Sequence, residues 1–171
     1  KVYDRLRGSD PRNIYNRPFY LDGELWLING FAGVKLSSYY IDGRLPFVYA
    51  DETPYLDSVK KMTSMLLDMM RDAGSAKYTV SRKLLQEAIR SERETGYRGV
   101  LLVKFDDVYV NAQYLLDIIG IIPRKEADIF TNRPLQPVII GGGEECDCVS
   151  VLMPCRSGDK GKIIESAKVT I

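Results

Sequence analysis

Three groups of side chains could do chemistry. Cys146, Asp147 and Cys148, with Cys155 further on, suggest a metal site or thiol chemistry. A structural zinc ion takes four nitrogen or sulfur ligands. With three cysteines and no histidine in the chain, the set stays one short. A redox pair is more often spaced C-x-x-C at a helix start. The acidic pairs Asp51-Glu52, Asp106-Asp107 and Glu144-Glu145 could each offer oxygens to a hard cation. Such an ion needs several convergent oxygens, and isolated acidic pairs on turns are ordinarily solvated. Gly141-Gly142-Gly143 follows a strand-like run, as a phosphate loop would, but leads into two glutamates rather than Lys-Ser/Thr. Those carboxylates repel phosphate. The absence of histidine removes the usual general base and every His-based triad. The residues therefore point away from an enzyme, and no cofactor or metal is expected.

Composition narrows the classes further. The chain has 171 residues, room for one domain with a real core or two very small ones. Lysine plus arginine total 24 against 23 aspartate plus glutamate, a net charge of +1. Binding to nucleic acid by bulk charge is not expected, although a local basic face is compatible with this balance. No run approaches the ~20 apolar residues of a membrane span, and the first residues have no signal-peptide apolar core. Three cysteines, few and odd in number, suit a reduced compartment. The expectation is a cytoplasmic protein with no membrane partner.

The elements that must position any site are readable from turns and periodicity. Residues 1–17 are charged and without a period, an irregular arm. From Pro18 to Leu36 the pattern is strand, Asp22-Gly23 turn, strand, Asn29-Gly30 turn, strand. Trp26 and Tyr20 alternate there with Leu21 and Leu25, which suits a core or cross-strand role or stacking on bases. Asp42-Gly43 and Pro46 mark another turn. Tyr55 to Asp72 carries Leu56, Val59, Met62, Met65, Leu66, Met69 and Met70 at helical spacing, with Gly74 as a stop. This face is either core or an adaptable methionine groove.

Tyr78-Thr79-Val80 reads as a short strand, and Ser81 caps a helix to about Glu94 that Gly96 and Gly99 end. Val100 to Phe105 and Val108 to Val110 read as strands. Asn111 caps a helix to Ile119 that ends at Gly120. Ala127–Thr131, Gln136–Ile140, Cys148–Met153 and Lys162–Ile171 complete the strands, with the glycine run at 141–143 as a turn. Tyr78–Ile89 and Val108–Ile119 share one plan of strand, polar cap and paired aliphatic ridge, a weak internal repeat. Helices and strands mix without a β-α-β rhythm, so the expected class is α+β.

Three blocks in the last third resemble a known family. They are Asn111-Ala-Gln-Tyr-Leu-Leu-Asp117, Arg133-Pro-Leu-Gln-Pro-Val-Ile139 and Val151-Leu-Met-Pro-Cys-Arg156. They resemble, in order, the "N-x-x-Y-L-x-D" helix start, a proline-bearing strand and the closing "V-M-P-x-R" strand of the bacterial sliding clamp, the DNA polymerase III beta subunit. The similarity is best over residues 78–156, within a clamp-like domain at 18–156. Residues 157–171 form a C-terminal extension beyond the arginine near which a clamp ends. They could add a strand or cover the cleft.

The resemblance implies helices packed on an antiparallel sheet and a binding function. It places Pro137, Val151, Met153 and Pro154 along a cleft for clamp-interacting peptides, such as those of polymerases. It turns the helix polar faces toward duplex DNA, with Arg82, Lys83, Arg90, Arg93, Arg124 and Lys125 as phosphate contacts. Glu87, Glu92 and Glu94 interleave with these basic residues, the pattern of a solvated helix face. A clamp subunit has three such domains and this chain has room for little more than one, so a ring would need a homo-oligomer. The other readings are a protein–protein interaction module with a clamp-like fold and no DNA role and, last, a thiol- or metal-dependent enzyme.

Overall fold

The computed structural model describes residues 18–36, 47–72, 77–122, 124–131, 135–141, 149–156 and 161–171. The expected arm at 1–17, the turn at Asp42-Gly43 and Pro46, the stop at Gly74, and Gly142, Gly143, Cys146 and Cys148 lie outside these residues.

The chain opens with the expected meander, β1 (Phe19–Leu21), β2 (Glu24–Ile28) and β3 (Ala32–Leu36), paired antiparallel in sequence order. Its two turns work differently. At the first, Asp22 and Gly23 both take positive φ, +50° and +85°, as a twist-matched two-residue hairpin demands. At the second, the asparagine side chain makes the turn: Asn29 Oδ1 accepts from the amides of Phe31 (2.7 Å) and Ala32 (2.6 Å).

After β4 (Val48–Tyr49), which runs parallel to β1, a short 3-10 turn leads into α1 (Leu56–Arg71). Then come β5 (Tyr78–Ser81), α2 (Arg82–Glu94), β6 (Leu101–Phe105), β7 (Val108–Asn111) and α3 (Ala112–Ile119). β8 (Glu126–Phe130), β9 (Val138–Gly141), β10 (Val149–Leu152) and β11 (Lys162–Glu165) follow. The strands form an eight-stranded sheet, β4-β1-β2-β3-β10-β9-β8-β5, and a three-stranded sheet, β11-β6-β7. The fold is α+β. Pairing is antiparallel except for β1 with β4 and β6 with β11.

Both faces of the large sheet are covered. On β2, Leu25 and Leu27 enter one core while Trp26 and Ile28 enter the other. On β9 and β10, Val138, Ile140 and Leu152 join the first core, Ile139 and Val151 the second. The first core holds Leu85 and Ile89 of α2, Leu115, Ile118 and Ile119 of α3, and Val103, Phe105 and Val110 of the small sheet. The second is closed by Val59 and Leu66 of α1. A Cβ on Gly33 would lie 2.6 Å from Leu66 Cδ1, so the bare glycine lets α1 settle on β3.

The segment expected as a strand from Lys162 to Ile171 divides. β11 pairs with β6, Ser166–Lys168 is a 3-10 turn, and Thr170 bridges to Val80. The amide of Ser81 donates to Val169 O at 2.9 Å and that of Ile171 to Thr79 O at 3.1 Å. The segment thus ties the small sheet to the exposed side of β5.

A polar tie does the same at the β6–β7 turn, where Asp106 sits at φ +50°. Tyr78 Oη donates to Asp106 Oδ1 at 2.6 Å, Thr131 Oγ1 donates to Oδ2 at 3.2 Å, and Lys77 Nζ lies 3.5 Å away. The Tyr78 bond, then Thr131 and Lys77, hold the Asp106 carboxyl below its ordinary value, and the same bond pushes the Tyr78 phenol up. A lowered carboxyl pKa stabilises the fold above the unfolded-state value, and this is lost as pH falls through the folded value. A raised phenol pKa stabilises below the unfolded-state value and is lost as pH rises through the folded one. Asp106→Asn should therefore lower the urea midpoint at about pH 7, with the gap to wild type closing toward about pH 3; an equal gap at both pH values would remove the carboxylate from the account. Leu66→Ala should cost about 2–5 kcal/mol in urea unfolding with m unchanged, and a cost under about 1 kcal/mol would show that α1 does not seal the second core.

Candidate functional site

Two strand–helix units set the site. β5 runs into α2 through Ser81, whose backbone is extended and whose hydroxyl makes no cap bond. β7 runs into α3 through Asn111, whose Oδ1 accepts from the amides of Gln113 (2.9 Å) and Tyr114 (3.2 Å). Both helices begin where the sequence predicts, but only Asn111 caps with its side chain; Ser81, expected to cap, does not. Their apolar ridges meet in the first core, which leaves Arg82, Lys83, Gln86, Glu87, Arg90 and Glu94 of α2 exposed. The helices run antiparallel. The Arg82 guanidinium lies near Gly120, at the end of α3, and the last turn of α2 shares a cavity with Asn111 and Gln113.

The six basic residues singled out in the sequence fall into three groups. The amide of Arg82 donates to Lys125 O at 2.8 Å, which docks the α3–β8 loop against the start of α2. Arg82, Lys83, Arg124 and Lys125 are gathered there, all exposed. Arg90 lies two turns on and pairs with Glu94 at 3.0 Å, as Lys83 pairs with Glu87 at 3.9 Å. Exposed i,i+4 pairs of this kind are worth only ~0.3–0.5 kcal/mol, so they hold the side chains loosely. Arg93 stands apart: it is half-buried, and its Nη1 donates to Tyr97 O (3.1 Å) and Gly99 O (2.8 Å), closing the loop after α2.

Sequence reasoning missed Arg98, which lies in that loop and donates from Nη1 to Arg93 O at 2.8 Å. Tyr97 pins the loop by donating to Val100 O and accepting from the Lys162 amide, both at 3.1 Å. Gly96 and Gly99 had marked this stretch only as a helix stop.

The four residues assigned to a peptide cleft are not brought together. Pro137 lines a groove of about 540 Å³ between α1 and the start of β9, with Lys61, Met65, Asp68, Met69 and Ile139 among the walls. Val151 is 0% exposed and lies in the second core; it is covered because β10 is an interior strand with α1 packed over that face. It supports this region from beneath and is no accessible wall. Met153 and Pro154 are half-buried past the end of β10. There the Met153 amide donates to Phe31 O (2.8 Å) and the Cys155 amide to Tyr109 O (2.7 Å). Phe31 is 58% exposed and stacks on Tyr114 of α3, with centroids 5.6 Å apart and 19° between planes. That aromatic pair also went unread in the sequence. The residues after 160 are not among the groove's walls.

Among the described residues no three His, Cys, Asp or Glu side chains are placed to hold a metal ion. No described helix is long and apolar enough to cross a membrane.

No protein-family model matches the sequence, and no curated protein matches it. Solved structures do. The DNA polymerase sliding clamp of Pseudomonas aeruginosa superposes with a TM-score of 0.51 at 15% identity, covering 86% of this chain and 60% of that one. The sliding clamp (DNA polymerase III subunit beta) of Bartonella birtlesii, in a structure bound to griselimycin, gives a TM-score of 0.54 at 13% identity, covering 91% of this chain and 63% of that one. At such identities the likeness is one of fold. The chain spans less than two thirds of either clamp, and over that span it has a divergent form of the bacterial sliding-clamp fold.

Proposed function

We propose that this chain is a non-enzymatic, clamp-like protein of DNA replication or repair, or of a mobile element, whose antiparallel helix pair faces the phosphates of duplex DNA. The observation that carries the reading is the gathering of Arg82, Lys83, Arg124 and Lys125 at one end of the pair by the Arg82–Lys125 backbone bond. On a chain of net charge +1, this is a local positive surface rather than a general one. Arg90 extends it along α2. Side chains of this kind attract phosphates without reading sequence, by releasing counterions. Enclosing a duplex would take more than one such unit, so an assembly of copies belongs to this reading, as does a place in the cytoplasm.

A second reading has its own support. The α1–β9 groove is floored by Met65, Met69, Pro137 and Ile139, and Met65 is 46% exposed. Flexible thioethers beside a rigid proline suit the apolar anchors of a short peptide. On this reading the chain is a protein–protein interaction module, with or without DNA.

Duplex DNA anisotropy across a salt series tests the first reading. Wild type should bind with an affinity that falls linearly in log salt. The fourfold variant R82E/K83E/R124E/K125E should lose about 3–4 units of that slope. A wild-type protein indifferent to duplex DNA, or a variant with an unchanged slope, would sink it. For the second reading, a polymerase-derived peptide with apolar anchors should bind at least about tenfold more weakly to Met65→Glu. Equal affinity, with loss in Met153→Glu instead, would move the peptide to the surface beside Phe31.

A further inference from the structure

A second cavity, of about 270 Å³, opens at the other end of the helix pair. Ile89 and Leu101 are among its apolar walls, Asn111 and Gln113 come from the start of α3, and Arg93 and Arg98 are the charged walls among the described residues. We propose that this pocket is a phosphate-binding site that takes one backbone phosphate of duplex DNA, an inference that rests on the DNA reading above.

The argument begins with the two guanidinium groups. Each is anchored through Nη1 to backbone carbonyls: Arg93 to Tyr97 O and Gly99 O, Arg98 to Arg93 O. Those bonds leave the Nε–Nη2 edge of each group, the fork that matches two oxygens of a phosphoryl group. Anchoring also removes rotamer freedom before any ligand arrives, so less is lost on binding. Side chains that merely satisfied the last carbonyls of α2 would account for the Nη1 bonds alone. They would not account for two like charges sharing one cavity with no carboxylate among its described walls.

Among the described residues, the neighbouring acids are engaged elsewhere. Glu92 pairs with Lys162, and Glu94 pairs with Arg90. Gln113 Nε2 donates to Asp117 Oδ1 at 3.1 Å, and Asn111 Oδ1 caps α3. The pocket's charge is thus left for an anion.

Its location supports a backbone phosphate over a free one. Arg93 lies eleven positions after Arg82 along α2, a rise of about 16 Å. The pocket and the Arg82 group therefore mark the two ends of one helix face. A duplex laid along that face would meet a loose cluster at one end and a preformed fork at the other.

The test uses the full chain and two probes. In duplex DNA anisotropy, Arg98→Gln should lower affinity about tenfold and reduce the salt slope by about one. Arg98→Lys keeps the charge and loses the fork, so it should restore the slope but not the affinity. Arg98→Gln matching wild type in both would overturn the proposal. Inorganic phosphate alone, titrated against the labelled protein by NMR, separates the two ideas. Saturable shifts at the Arg98 and Gln113 amides, abolished by Arg98→Gln, support the pocket even where wild type ignores DNA, and only the DNA reading then fails. No such shifts, with no DNA binding, overturn the pocket as well.

Discussion

The structure depends on a sheet that cannot leave either face in water. Along β2, successive residues Leu25, Trp26, Leu27 and Ile28 are all apolar and all buried, alternately in the two cores. A one-sided antiparallel sheet would show polar residues at every second position. Here each face needs its own cover, and two different covers are supplied. One is the α2–α3 pair with the small sheet; the other is α1, seated over the bare backbone of Gly33. Because the pair's inner ridges are committed to the first core, its outer residues have no choice but solvent or a partner. The placement of the basic face thus follows from packing rather than from any attraction of its own.

Much of this was legible before any coordinates. The two helix starts at Ser81 and Asn111, the β1–β2–β3 meander and the amphipathic α1 all follow from local signals: caps, glycine turns and the 3.6-residue period. The strand-helix repeat was visible because each unit is local as well. What stayed hidden is long-range. The parallel partners of β1 and β6 have no sequence mark, since parallel pairing is set by the crossover and not by a turn. Val151 reads as a cleft residue by resemblance, yet its depth depends on α1 lying over β10.

The candidate site divides along the same line. Residue type alone identified the positive side chains, but not which of them share a surface. Arg124 and Lys125 join Arg82 through a main-chain bond, and main-chain bonds carry no residue signature. Arg93 and Arg98 are organised by carbonyls of the loop that holds them, a loop in which the two glycines signalled only an ending. Near-neutral net charge had argued against a polyanion partner, and that argument holds for the molecule as a whole. It does not reach a local surface where backbone geometry collects positive groups, even though Glu87 and Glu94 pair with two of the basic residues along α2.

The segment from Lys162 to Ile171 touches both sheets, β11 lying along β6 and Thr170 bridging to β5. Such contacts close very long loops of chain, and parallel pairings of this sort form slowly because their entropy is lost before the contact rewards it. The meander and the strand–helix units can take shape early, on local contacts, during synthesis. The Asp106 tie can already hold the small sheet to the large one, but the tail's own share of that joining must wait until these late residues are made. Until then Val80 lacks its Thr170 partner, and the outer side of β5 is an open strand edge. The vulnerable moment for this protein is therefore a kinetic one, between the emergence of β5 and the arrival of the residues around Thr170 that shield its edge. A helper that holds unfinished chains would be needed most in that interval.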